Sequence, residues 1–507
     1  MQPKSAFNIT ANVTRALSNR TKGLNIEENL TFEIDQPGLG AVRIPEFPQF
    51  DTDMLGNLNR GEVGLPSIPE PRVKRHYHRL SRLNYALDSA LYPLGSCTMK
   101  YNPVNCEKVA RMPGFAEVHP LQPVQTVQGA LEAIHTLGEM LIDITGMNSI
   151  TMAPAAGAHG EHVGLMAIKQ AHKMSGEDKK RRIMLVPDSA HGTNPASAAQ
   201  VGYVVKVVKG LPDGRVDLDD LRAKMDDTVA GFMLTNPSTL GLFETNCKEI
   251  ADIIHDGGAY MYMDGANLNA LLGRVKVSDL GADAMHINLH KTFAAPHGGG
   301  GSGSGPVVFS HRLAQHAPIT DVVKGPDGSF TINEGLNDIS CGRCKQFVGQ
   351  FGVILRSLAY VMAMGGEGMR LVSGDAVLNA NYLMRKLEEI GITPALPEED
   401  CMHECVFSDK WLEGTGVTTM DVAKTLIDKG FHPPTVYFPL VVSGAMLTEP
   451  TETETKAALD TYVDAMKEII DTIKNNPEEL HKAPMHAPIK RADDVRATKK
   501  PILTLCS

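Results

Sequence analysis

One stretch concentrates groups able to do chemistry: HINLHKTFAAPHGGGGSGSGP, residues 286–306. The apolar pattern predicts a strand over 284–290 that delivers Lys291 at its end. His297 follows, then Gly298, Gly299, Gly300, Gly301, Gly303 and Gly305. Glycine lets backbone come close to a ligand, and successive N–H groups in such a run cradle an anion. A lysine at a strand end beside an anion site suits Schiff-base chemistry. The amine must be held, partly desolvated and able to lose its proton. A flexible linker with a surface lysine is the plain alternative. A linker needs no preceding apolar strand, and no His286, His290 or His297.

Three other stretches point the same way. In MYMDGANLN (261–269), Asp264 ends a predicted strand. A carboxylate there can keep a pyridine nitrogen protonated, which makes the ring an electron sink. Taken alone, Asp264 reads as well as a helix N-cap. Asp264 and Lys291 on neighbouring strands would share one sheet edge. In DSAHGTNPAS (188–197), His191 follows another strand and could stack on an aromatic ring. In MAPAAGAHGEHVGL (152–165), small residues open a helix, and bare N–H groups at a helix start suit a phosphate. Tight helix–strand packing also asks for small residues. The loop has neither a Walker lysine nor G-x-G-x-x-G spacing, which excludes the usual triphosphate and dinucleotide sites.

These residues need a frame to hold them. Periodicity predicts helices over 129–146, 157–174, 216–225 and 247–258. Asp217 is the expected N-cap of the third, and Gly146 the expected stop of the first. Strands are predicted over 183–188, 202–209, 229–236 and 259–264, besides 284–290. Strands alternate with helices and read apolar on both faces, which marks an α/β fold with a parallel sheet covered on both sides. Ligands in such sheets bind at the carboxyl ends of the strands. The expected organisation is an extended arm (1–75), a large domain (76–365), a small C-terminal domain (366–475) and a tail (476–507).

Composition narrows the class. The chain has 507 residues, 42% hydrophobic and 21% charged, enough for a large core. Its 49 Lys and Arg against 59 Asp and Glu give a net charge of −10, which argues against a nucleic-acid partner. No apolar run approaches the ~18 residues of a membrane span. Eight scattered cysteines do not form a secreted disulfide framework, and a reducing cytoplasm is the expected location. Residues 1–26 hold four Lys or Arg and no acid, partly like an organellar transit peptide, although a polar arm reads better. Asn-x-Thr triplets at Asn8, Asn12, Asn19 and Asn29 read as chance matches. Cys341 and Cys344 (C-x2-C) with Cys401 and Cys405 (C-x3-C) have spacings that zinc uses. Buried thiols explain them as well, and no metal is expected.

The motifs together resemble fold-type-I enzymes that use pyridoxal 5′-phosphate. The nearer resemblance is to the P-protein of the glycine cleavage system, in the form whose second subunit is a separate chain. It rests on YPLGSCTMKYNP (92–103), HPLQP (119–123), PAAGAHGE (154–161), AHGTNPASA (190–198), TNPST (235–239), MDGANLNA (263–270), NLHKTF-x-x-PHGGGG (288–301), CMHE (401–404), GFHPPT (430–435) and LTEPTE (447–452). These run from about residue 70 to 470. Two departures are Ser302, where the family favours proline, and the paired cysteines of CGRC (341–344).

The resemblance implies a mostly parallel central sheet with helices on both faces and a smaller C-terminal α+β domain. It implies that Lys291 forms the Schiff base with the cofactor, that Asp264 pairs with the pyridinium nitrogen, and that His191 and Ala266 pack on the two ring faces. Ala156, Gly157 and Ala158 would offer donors to the phosphate, with Thr239, Asn288 and His290 nearby. The implied reaction is decarboxylation of glycine and transfer of the aminomethyl group to the lipoyl arm of the H-protein. Cys97, Lys100 and His403 are candidates for the lining of the lipoyl funnel. Implied partners are a first subunit and the lipoylated H-protein, in a hetero-oligomer with two of each subunit. Another fold-type-I decarboxylase or aldolase, or a non-catalytic scaffold, are the competing readings. YPLGSCTMK and GFHPPT speak against the former, and intact Lys291 and Asp264 against the latter.

Overall fold

The computed structural model describes residues 28–35, 48, 52–59, 64–298, 301–319, 321–335, 337–487 and 489–503. The transit-peptide reading of 1–26, much of the extended arm, and Gly299 and Gly300 lie outside the described residues. The chain falls into two compact units, Met1–Ala86 with His486–Ser507, and Leu87–Met485. In the first, the helix Glu70–Ser81 carries His76 and Arg79, which both bind the Glu28 carboxylate.

The second unit is built on a seven-stranded sheet. Its strands are β1 (Ser149–Thr151), β2 (Ile183–Pro187), β3 (Val204–Val208), β4 (Val229–Thr235), β5 (Tyr260–Gly265), β6 (Ala284–Ile287) and β7 (Val307–Phe309). Their order is β1-β7-β6-β5-β4-β2-β3. Neighbours from β3 through β6 are parallel, and β7 alone runs against β6 and β1. A hairpin of β8 (Asp321–Lys324) and β9 (Phe330–Asn333) follows.

Side chains of period two divide the core between the two sheet faces. Leu185, Phe232, Leu234, Met261, Met263, Met285, Ile287 and Val308 join one apolar cluster. That cluster includes Leu131, Ile134, Leu137 and Leu141 of the helix Gln128–Thr145. Met184, Val186, Met233, Tyr262, Ala284, Val307 and Phe309 join the other, with Val163, Leu165 and Ile168 of the helix Gly157–Met174. This accounts for the apolar runs: β4 is buried along all seven residues. The strand expected at 202–209 departs from the pattern. β3 sits at the sheet edge and exposes Val204 and Val207, because no further strand covers it among the described residues.

Predicted ends hold where a specific residue sets them. Gly146 takes φ 72° after Thr145, a conformation that glycine adopts without strain. The Asp217 side chain accepts from the N–H groups of Asp219 and Asp220 at 3.0 and 3.1 Å. The strand expected over 284–290 is shorter. β6 ends at Ile287, and a single helical turn, Leu289–Thr292, carries Lys291.

A smaller three-stranded antiparallel sheet holds β10 (Cys405–Phe407), β11 (Thr435–Val436) and β12 (Met446–Thr448) in the order β10-β12-β11. The helices Thr419–Asp428 and Lys456–Asn475 pack with it around Phe407, Leu426, Tyr462 and Met466. This is an α+β arrangement. The long helix Phe351–Glu389 packs in both regions and is interrupted at Gly365, φ 61°. No described helix is long and apolar enough to cross a membrane.

The helix Gly157–Met174 lies close on the sheet because of its glycines. A Cβ on Gly160 would stand 2.7 Å from His286 Cβ and 2.9 Å from the Gly305 carbonyl oxygen. Gly160→Ala must therefore move backbone, and we expect a loss of about 1–3 kcal/mol, read as a lower denaturant midpoint. Gly129→Ala, with nothing within 4 Å of its Cβ, is the control. A midpoint for Gly160→Ala no lower than that of Gly129→Ala contradicts this packing.

Candidate active site

The carboxyl ends of β2, β4, β5 and β6 share one sheet edge, and β1 points the same way. Asp264 lies in β5, His191 follows β2, and Asn288, His290 and Lys291 follow β6. Thr235, Asp264 and His286 lie side by side in register across β4, β5 and β6.

Asp264 is 3% exposed and fully engaged. Its Oδ2 accepts from the Asn194 amide at 3.0 Å and its Oδ1 from the Ala266 N–H at 2.9 Å. His286 Nε2 stands 3.3 Å from Oδ1. Burial alone would raise its pKa, but His286, Asn194, the Ala266 N–H and Lys291 outweigh that and hold the carboxyl below the usual range. Asp264 is thus a buried carboxylate kept ionised. Tyr262 fixes His286 from behind, its hydroxyl 2.7 Å from Nδ1.

Lys291 is 9% exposed, and its amine donates to the Ser96 carbonyl at 2.8 Å. His191 is half-buried. Its Nδ1 lies 2.8 Å from the Thr193 hydroxyl and accepts from the Thr193 N–H at 3.2 Å. The same hydroxyl donates to Glu161 at 2.6 Å, and Ser197 bonds the other Glu161 oxygen at 2.8 Å. Glu161 therefore anchors the His191 loop from the helix opposite. Thr239, in the turn after β4, also holds that loop, donating to the Ser189 carbonyl at 2.7 Å, so its proton is already committed.

Ala156 caps the helix Gly157–Met174, and Ala156 and Ala158 are exposed there. A Cβ on Gly157 would stand 2.7 Å from Asn288 Oδ1, a buried amide oxygen with no partner. His290 accepts from the Ser304 N–H at 3.2 Å, and burial, with His297 and Lys291 beside it, lowers its pKa to about 3. His290 is therefore neutral beside the amine. The edge thus offers an amine, an ionised carboxylate, a histidine between them in sequence order, and a helix start with exposed N-terminal residues. That set fits a flat, cationic heteroaromatic ring bearing an aldehyde and a phosphate.

The three funnel candidates divide. Cys97 Sγ is 3.8 Å from His297 Nε2, and burial raises its pKa although Lys291 opposes the rise. His403 is fully buried, with both ring nitrogens unpartnered, and burial and Lys291 take it down to about 3. Lys100 is committed elsewhere. Its amine, 1% exposed, bonds Glu452 at 2.7 Å, Asn269 at 2.8 Å and Tyr360 at 3.3 Å. The thiols of Cys341 and Cys344 pack against one apolar cluster and Cys401 and Cys405 sit in another, so the four do not form one ligand set.

Sequence reasoning singled out neither Glu404 nor Glu449, both fully buried near Lys291. They lie in CMHE and LTEPTE, but only strand pairing reveals that they meet. Ser96, Glu161 and Asn194 were also missed, since their roles are hydrogen bonds over long sequence separations.

Burial raises Glu404 to about 7, against the Ser96 N–H and Lys291, from the ordinary 4.5. A carboxyl with a higher pKa in the fold than in the open chain takes up a proton on folding. Its contribution is complete below about 4.5 and is lost as pH rises to about 7. Glu404→Gln is expected to flatten the fall of unfolding free energy across that window. An unchanged slope contradicts the buried carboxyl.

Comparison with known proteins gives a consistent placement. Residues 372–493 match the glycine dehydrogenase C-terminal domain, and residues 160–306 match the class-V aminotransferases. The chain is 51% identical to the probable glycine dehydrogenase (decarboxylating) subunit 2 of Caulobacter vibrioides, over 98% of this chain and 95% of that one. It is 48% identical to the protein of the same description from Caldanaerobacter subterraneus, over 94% and 98%. Among solved structures it resembles an inhibitor-bound glycine decarboxylase (P-protein) of the glycine cleavage system, with TM-score 0.70 at 20% identity, covering 84% of this chain and all of that one. A NifS-like protein aligns with TM-score 0.58 over 75% of this chain and 99% of that one. The fold is therefore that of the fold-type-I enzymes, and the chain belongs to the glycine dehydrogenase (decarboxylating) subunit 2 family.

Proposed function

We propose that this chain binds pyridoxal 5′-phosphate at Lys291 and decarboxylates glycine, passing the aminomethyl group to the lipoyl arm of the H-protein. The observation that carries this reading is the conjunction of Lys291 and Asp264 at the edge formed by β5 and β6. A buried carboxylate held ionised is what a protonated pyridine nitrogen requires as partner. When bound, the cofactor supplies an electron sink for the pair released as CO₂ leaves.

The chain's own residues supply charge, orientation and dryness. Asp264 would hold a proton on the ring nitrogen, and Asn194, the Ala266 N–H and His286 hold Asp264 in turn. His191, fixed by Thr193 and Glu161, and Ala266 would hold the ring. Ala156, Gly157 and Ala158, with Asn288 and His290, would hold the phosphate. Cys97 and His403, both close to Lys291, line the entry of the lipoyl arm. Lys100 supports that entry indirectly, through Glu452. The first subunit of the family pairs with this chain, two of each, in the cytoplasm.

The test is glycine-dependent CO₂ exchange by the chain with its first subunit and lipoylated H-protein. Lys291→Ala is expected to abolish it. Asp264→Asn, which removes the negative charge but keeps the shape, is expected to lower the rate by about 100-fold or more. Exchange that persists in Lys291→Ala, or a wild-type rate in Asp264→Asn, overturns the reading.

A further inference from the structure

The small sheet brings two acids face to face beside Lys291. Cys405 of β10 pairs with Thr448 of β12 in antiparallel register, so the next positions outward, Glu404 and Glu449, oppose each other. Like charges directly opposite repel even at a surface, and these side chains are fully buried. Ligand atoms of His403, Glu404 and Glu449 all lie within 4.8 Å of one another. Neither Glu449 oxygen has a hydrogen-bond partner, nor has Glu404 Oε1, and the Thr98 hydroxyl beside Glu449 lacks hydrogen-bond geometry. Glu404 Oε2 accepts from the Ser96 N–H at 2.7 Å.

Ser96 joins this pair to the amine. Its backbone takes φ 63°, uncommon for a residue with a side chain, and turns its N–H to Glu404 and its carbonyl to Lys291. Among the described residues, the ionisable groups acting on the pair are the Lys291 amine, Lys100 and Glu452, which are paired with each other, His403, which is neutral, and the thiols of Cys97 and Cys405, both pushed up by burial. Two buried carboxyls therefore face the single amine of Lys291, which also acts on Asp264, and one of the two must hold a proton. Burial and Glu404 together push Glu449 well above the usual range, which makes it the protonated partner.

The reaction has need of that proton. Glycine and a cyclic disulfide become CO₂ and an aminomethyl thioether with a free thiol. The Cα–carboxylate bond breaks, a C–S bond forms, and the S–S bond breaks with its electron pair on the departing sulfur. One proton is consumed per turnover, by that sulfur. We propose that Glu404 and Glu449 form a carboxyl pair holding one proton, in which Glu449 is the acid that protonates the departing sulfur and the Glu404 carboxylate opposite keeps that proton on Glu449 until the sulfur leaves. This rests on the functional reading above. Glu449 regains its proton from solvent after product leaves.

The test uses Glu449→Gln, the neutral isostere of a protonated carboxyl, in the holoenzyme with its first subunit. Two acceptors are compared with glycine: the lipoylated H-protein and an aryl disulfide, whose thiolate leaves without a proton. The expected loss is about 100-fold with the lipoyl acceptor and less than about tenfold with the aryl disulfide. The cofactor-free chain gives a second readout, the infrared absorption of buried protonated carboxyls, which loses the intensity of one group in Glu449→Gln. Equal losses for both acceptors overturn the proposal. So does an unaltered absorption, or stoichiometric divalent metal in the purified protein, for which His403, Glu404 and Glu449 would be the ligands. An absorption that falls by one group in Glu449→Gln, with a wild type that releases no CO₂ with either acceptor, contradicts the functional reading, not the carboxyl pair.

Discussion

Keeping a carboxylate charged inside a protein is costly unless its neighbours compensate, and the main sheet is arranged around that constraint. Asp264 sits between β4 and β6 in register with Thr235 and His286. Asn194, from the helix Thr193–Val201 that follows β2, and the Ala266 N–H complete its shell. Each of those partners is placed by a different strand or helix start. The parallel sheet is what brings them to one point, since only a parallel arrangement puts successive strand ends on the same edge.

The small sheet poses the reverse problem. Its Glu404 and Glu449 are buried with few partners, so protonation relieves them where hydrogen bonds do not. One edge of the molecule therefore presents an acid kept ionised and, across Lys291, an acid kept neutral. Environment assigns the two states, since the side chains are nearly the same. Ser96 is the hinge of this division, with its N–H given to one side and its carbonyl to the other.

The positions of Lys291, Asp264 and His191 were legible because each falls at or a few residues after the end of an apolar run, and strand ends are where such sheets bind ligands. Helix boundaries were legible where one residue decides them, as at Gly146 and Asp217. Contacts between distant segments were not. Lys100 reads as a funnel lysine in YPLGSCTMK, yet it is bonded to Glu452, 352 positions away. Glu404 and Glu449 sit in two short motifs 45 positions apart, and nothing in either motif says that β10 and β12 pair. The edge position of β3 was equally hidden, since Val204 and Val207 carry the same apolar signature as a central strand.

Lys291 is the amine proposed to carry the cofactor. The most direct test of that role is borohydride reduction of the chain loaded with pyridoxal 5′-phosphate, followed by peptide mass mapping. The reduced adduct is expected on Lys291, in the peptide that begins after Arg274 or Lys276 and spans β6. A reduced adduct on any other lysine, with Lys291 unlabelled, contradicts that role.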